Sequence, residues 1–338
     1  MININFNLIF LFILLNLPFF FLFRNITKFI NIYDSADGIR KFQKKSIPLI
    51  GGFIIIYNII TFSIFSFFLE LKILDEKFDF SNRELFSLYI GSILFFMFGV
   101  LDDKYSFKAN IKLFIIFSLT LLVVMLDKNL LITHLRFSFI SHIIELDMFS
   151  YFFSILCFLL FFNALNMFDG INLQVGFYCI VIFIIFITKG LFINFSLIII
   201  FSLLFFLFFN FKNKTFLGEG GVQLLAFIVS YIIIKSYNLN NSFFYVDEIF
   251  IIMALPGLEL FRLFLFRILN GKHPFKGDTN HLHHLLIKRF SPNKAFLLVF
   301  LSVVTSINLY YLLENKFIFI LFIIIFYSII IHRLYKRD

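Results

Sequence analysis

Long apolar stretches broken by short polar segments recur along the whole of this chain, and a water-soluble core cannot absorb so many of them. A stretch of roughly 18 apolar residues is long enough, as a helix, to cross the hydrocarbon of a bilayer. Backbone N–H and C=O groups find no water there, so a helix is the conformation such a stretch takes. Eleven spans fit the hydropathy: 4–23, 49–69, 85–101, 111–126, 150–166, 175–188, 191–210, 222–235, 247–268, 295–312 and 316–332. Two of them, 175–188 and 222–235, are short, which leaves ten crossings open. Composition agrees, with 61% hydrophobic and 14% charged residues, where a soluble domain has about half and about a quarter. The chain is expected to be all-α and polytopic. Residues 1–338 are read as a single transmembrane domain, because no span repeats another and no Pro/Gly/Ser-rich linker divides them. The first span lacks a basic start and a small-residue cleavage site, so it is expected to be a retained helix rather than a signal peptide. Cys157 and Cys179 fall within spans and are read as packing residues. The 59 Phe are read as packing and composition, with no functional signal in them.

Orientation follows from the basic residues. With the N-terminus outside, loops 24–48, 102–111, 167–174, 211–221 and 269–294 and the C-terminal tail face the cytoplasm. These segments and the adjoining span ends hold 21 of the 29 Lys and Arg, while the 20 acidic residues divide 9 inside and 11 outside. A bias confined to basic residues is what the positive-inside rule describes. The net charge of +9 is then topology and attraction to anionic headgroups and phosphates, and no nucleic-acid partner is expected.

The polar residues hardest to explain by folding stand in the inside loops. Asp102 and Asp103 follow a span directly. Adjacent carboxylates repel, and a divalent cation or cationic ligand relieves that cost; Asp is also a good helix cap. Lys112 lies about two turns onward. Asn163, Asn166 and Asp169 recur every three residues at the end of another span, where burial in lipid is expensive, with Gly170 allowing a turn. Glu219 sits among Gly218, Gly220 and Gly221, a run that permits close backbone approach either to a phosphate or to a neighbouring turn. His281, His283 and His284 accompany His273, Lys272, Lys276 and Asp278. On a helix His281 and His284 share a face and His283 points elsewhere, which is poor for a closed zinc site. A cationic cluster of this kind suits a diphosphate. Arg40, Lys41, Lys44 and Lys45 read locally as a topology signal. The outside loops show only scattered charges and Asn.

Taken together, these loops resemble the polyprenyl-phosphate N-acetylhexosamine-1-phosphate transferases, from about Asp34 to His284. The residues that carry the likeness are Arg40-Lys41 with Pro48 and Gly51-Gly52, and Asp102-Asp103 with Lys112. They continue with Asn163-Ala164, Asn166 and Asp169-Gly170, the glycine loop, and His273-Pro274-Phe275, Asp278 and His281-Leu282-His283-His284. The His-Leu-His-His form is closer to the branch that starts O-antigen and common-antigen chains than to the peptidoglycan translocase.

The resemblance implies transfer of N-acetylhexosamine 1-phosphate from a UDP-sugar to polyprenyl (undecaprenyl) phosphate at the cytoplasmic face of a bacterial inner membrane. It implies Mg²⁺, for which Mn²⁺ could substitute, with Asp169 as the metal ligand. Asp102 and Asp103 are implied to bind or activate the lipid phosphate. Lys112, Asn163, Asn166, Glu219, Arg40, Lys41, His281, His283 and His284 are implied to bind substrate. The sequence departs from the pattern at Gln43, Asn172, Glu219 and Val222, which bears on donor identity. A homodimer is left open, as is the choice between single and double displacement. The rival readings are a transporter of an anionic solute and a scaffold without activity.

Overall fold

The computed structural model describes residues 6–35, 46–69, 80–239, 243–272 and 280–336. Its helices, in chain order, are α1 (Phe6–Ile30), α2 (Gly51–Leu69), α3 (Asn82–Tyr105), α4 (Ala109–Leu126), α5 (Ser150–Phe168) and α6 (Gln174–Thr188). They continue with α7 (Ile193–Phe211), α8 (Gly218–Leu239), α9 (Val246–Leu269), α10 (Leu282–Ile287), α11 (Pro292–Leu312) and α12 (Lys316–Lys336). Strand structure among the described residues is limited to two small antiparallel pairs. One joins β1 (Tyr33–Asp34) to β2 (Ile47–Pro48), with Tyr33 opposite Pro48, and the other joins β3 (His134–Leu135) to β4 (Ile144–Glu145). The chain is an all-α polytopic membrane protein. Nine of the described helices are long and apolar enough to cross a bilayer, and α6 and the Gly51–Phe65 stretch of α2 are apolar as well. Each of the eleven expected segments falls on one of these helices.

The helices outrun the expected spans at the ends that matter. A span is bounded by where hydrocarbon stops, but a helix continues through the headgroups until a residue breaks it. α3 therefore runs past Leu101 and holds Asp102 and Asp103 in its last turn, not in a loop. It ends where Ser106 turns left-handed (φ 51°), its N–H bonded to the Asp102 carbonyl at 2.8 Å. α8 likewise begins at Gly218, so Glu219 belongs to its first turn.

The chain packs as two compact units. The first gathers Met1–Asp79, Phe96–Ser106 and Ile180–Leu224, and the second Phe80–Phe95, Phe107–Cys179 and Leu225–Asp338. In the first, α1 and α2 are joined by a buried pair of amides: Asn16 Nδ2 donates to Asn58 Oδ1 at 2.7 Å, and Asn58 Nδ2 returns the bond at 3.1 Å. Lipid tails offer no hydrophobic drive between helices, so reciprocal polar bonds of this kind hold membrane helices in register. Close backbone approach does the same for α2 and the start of α8. A Cβ on Gly52 would lie 2.5 Å from the Gly221 nitrogen, which no larger residue could tolerate. In the second unit, Lys235 of α8 is 1% exposed, yet it bonds Glu84 of α3 at 2.5 Å and Asp127, just beyond α4, at 2.9 Å. Glu84 and Asp127, read from sequence as scattered charges of the outside loops, and Lys235, the last residue of the expected span 222–235, form a buried cluster.

Candidate functional site

The first unit holds the carboxylate pair. Asp102 is buried at the end of α3. Asp103 reaches the start of α8: its Oδ1 accepts the Glu219 N–H at 3.0 Å and its Oδ2 the Gly220 N–H at 3.3 Å. The first N–H groups of a helix lack partners inside it and carry partial positive charge, so a carboxylate placed there is stabilised. Two of the amides that the glycine run was expected to offer a phosphate are thus engaged by Asp103. The Glu219 side chain accepts from Gln223 at 3.4 Å, one turn along. The segment before α8 is fixed by backbone bonds to the entry of α2: Gly51 N–H to Phe216 at 3.0 Å and Gly52 N–H to Leu217 at 3.0 Å.

The second unit holds Asp169 and the histidines. Asp169 caps the C-terminus of α5 and is exposed. Asn163 and Asn166 stand on that helix, half-buried, and the Asn163 amide is bonded to the Leu159 carbonyl at 2.7 Å. Lys112 is in the first turn of α4. His281 precedes the short helix α10, with φ −62° and ψ 147°, and so escapes helical spacing. The expectation that His283 points away from its neighbours is therefore corrected. The rings of His281 and His283 are stacked with centroids 5.2 Å apart, His283 and His284 are 4.3 Å apart, and His281 and His284 are 6.0 Å apart. His283 is buried against the residue after Asp169. A Cβ on Gly170 would fall 2.2 Å from the imidazole Cε1, so glycine there makes room for the ring. Burial, followed by the charges of His284 and His281, holds the His283 imidazole well below the usual histidine range.

The model of glycosyl transferase family 4 matches residues 85–237. The chain is 25% identical over 297 residues to the undecaprenyl-phosphate alpha-N-acetylglucosaminyl 1-phosphate transferase of Escherichia coli O157:H7. That similarity covers 84% of this chain and 77% of the relative. The enzyme of the same name from Yersinia pestis is 24% identical over 305 residues, covering 86% of this chain and 79% of its own. The chain is similar to these transferases over most of its length, and residues 85–237 match the family model.

The segment matched by the family model contains Asp102, Asp103, Lys112, Asn163, Asn166, Asp169 and Glu219. Arg40, Lys41, Gln43, His273, Lys276 and Asp278 lie outside the described residues. Among the described residues no group of three or more His, Cys, Asp or Glu is arranged to hold a metal ion. Mg²⁺ makes no such demand, because it is commonly held by one or two carboxylates together with waters and substrate phosphates. An exposed carboxylate at a helix end, as at Asp169, suits that ion as the partner of a bound diphosphate.

Two residues of the site escaped sequence reasoning. Glu259 and Arg262 of α9 are paired at 2.7 Å, and each touches the backbone beside His281. The signal was present, since opposite charges three residues apart inside an apolar span are costly and mark a structural or functional demand.

Proposed function

We propose that this protein transfers N-acetylhexosamine 1-phosphate from a UDP-sugar to undecaprenyl or another polyprenyl phosphate, releasing UMP. The reaction is set at the cytoplasmic face of a bacterial inner membrane, as the first membrane step of a cell-envelope polysaccharide. The observation that carries this reading is the His283 ring seated on Gly170, which gathers three imidazoles next to the exposed Asp169. Hard oxygen and imidazole donors on one surface suit a nucleoside diphosphate. The names of the relatives supply the acceptor lipid and the class of sugar.

An oxygen of the lipid phosphate attacks the phosphorus that bears the sugar. A new P–O–P bond forms, the bond to the UMP oxygen breaks, and UMP leaves with the electron pair. Mg²⁺, with Mn²⁺ as a substitute, would bind at Asp169 and offset the charge of the diphosphate. Asn163, Asn166, Lys112 and the three histidines are assigned to holding the donor, together with Arg40 and Lys41. Holding both reactants in line supplies much of the rate. Asp102 and Asp103 are assigned to the acceptor, orienting the lipid phosphate or taking its remaining proton. The two amide bonds to Asp103 fix that carboxylate in one orientation, which suits orienting more than shuttling.

UMP release from purified protein in detergent tests the reading, with undecaprenyl phosphate, Mg²⁺ and a panel of UDP-N-acetylhexosamines. Release that requires the lipid, stops with a chelator and returns with Mg²⁺ is the expected result. No release with any donor would overturn it.

A further inference from the structure

α9 is a membrane-spanning helix in which Glu259 is 3% exposed, an expensive place for a carboxylate. Arg262 answers it with two bonds, Nη2 to Oε1 at 2.7 Å and Nε to Oε2 at 3.0 Å. A pair that served only to neutralise itself would end there, but this one extends to the His loop. Glu259 Oε1 also accepts the backbone N–H of Leu282 at 2.7 Å, and Arg262 Nη2 donates to the Asn280 carbonyl at 2.7 Å. Those two backbone groups flank His281. Tyr327 of α12 donates its hydroxyl to Glu259, and Arg262 Nη1 donates to Tyr335 at 3.1 Å.

The need for such a clamp lies in α10. With six residues it is too short to hold its own shape, and no side chain of its own N-cap satisfies its first amides. Leu282 is its first residue, so Glu259 supplies from another helix the acceptor that a local cap would give. Positions of the His281, His283 and His284 rings depend on where this helix starts.

We propose that Glu259 and Arg262 are positioning residues that set the His281, His283 and His284 imidazoles for the donor diphosphate. The donor half of this statement rests on the transferase reading above; the positioning half does not.

The test uses the full chain in detergent with the variants Glu259→Gln, Arg262→Lys and Tyr327→Phe. Carbethoxylation of histidines by diethyl pyrocarbonate, mapped by peptide mass spectrometry, follows the His283 ring, with the exposed His142 as internal reference. His283 is expected to label several-fold faster, relative to His142, in Arg262→Lys than in the wild type. The KM for the UDP-sugar is expected to rise about tenfold with kcat within about threefold, because a lost contact that binds ground state and transition state alike raises KM without lowering kcat. Tyr327→Phe leaves the ion pair in place and should move both readouts the same way by less, which keeps the test open if Glu259→Gln does not fold. Unchanged His283 labelling in every folded variant would overturn the positioning role. A fall in kcat at constant KM would overturn the donor role. If the wild type releases no UMP, the donor half falls with the transferase reading, and the labelling still decides the clamp.

Discussion

Lys235 with its two carboxylates and Asp169 with its neighbouring histidines lie in the same compact unit, yet they treat charge in opposite ways. At Lys235 every partner is in place: Glu84, both oxygens of Asp127, and Tyr231 donating to Asp127 at 2.6 Å, with the Lys235 and Asp127 side chains each 1% exposed. Asp169 is exposed at a helix end, and His281 and His284 are half-buried. Charge that has been withdrawn from solvent and fully bonded within the protein holds helices together. Charge left at the surface, beside rings gathered by a short helix, stays accessible to solvent.

That contrast can be broken at either end. Lys235→Met leaves two carboxylates buried without their cation, and breaking a buried pair costs about 3–5 kcal/mol. A large fall in thermal unfolding temperature in detergent is expected; an unchanged temperature would show that the cluster does not hold the fold. Asp169→Asn should do the reverse. Lipid-dependent UMP release should fall by about 10²–10³-fold, the scale of one lost electrostatic contact at a reacting centre. Stability should stay within about 0.5 kcal/mol, as for other exposed positions. Undiminished release would overturn the proposal that Asp169 binds Mg²⁺. Gly170→Ala tests the seam between the two behaviours. Its methyl group must displace the His283 ring, costing about 1–3 kcal/mol by overpacking and raising the donor KM; neither change would mean the ring moves freely.

The smallest effect is on acidification. The folded protein holds His283 below its ordinary value near 6.5, so from there downward the unfolded chain binds a proton that the folded chain does not. Stability is therefore full above that value and declines as pH falls below it. His283→Gln should flatten the decline in denaturant titrations, and an unaltered slope would place its origin elsewhere.

The spans were legible because hydropathy is a local property, and helix is the sole solution a single chain segment has in lipid. Asp102, Asp103, Asn163, Asn166, Asp169 and the histidines were each conspicuous in the sequence because polar residues at span ends stand out against an apolar background. Their partners were not. The bond from Glu219 to Asp103 joins residues 116 apart, and that from Lys235 to Glu84 joins residues 151 apart. Hydropathy marks Lys235 and Glu84 as charges near span ends, and nothing local says that they meet. The histidine reading erred for a related reason. It assumed one helix through His281, whereas α10 starts only at Leu282, where a carboxylate from α9 receives its first amide.

By itself, then, the sequence determined a polytopic helical membrane protein and the residues whose chemistry is unusual there. Each span is driven by its own apolar side chains, and each unusual residue is visible in its own short segment. Tertiary structure alone decided that Asp103 anchors α8, that Gly170 makes room for His283 and that Glu259 and Arg262 hold the histidine loop. Those pairings depend on side chains that arrive from other helices, and a buried polar group takes whichever partner the packing brings within bonding distance.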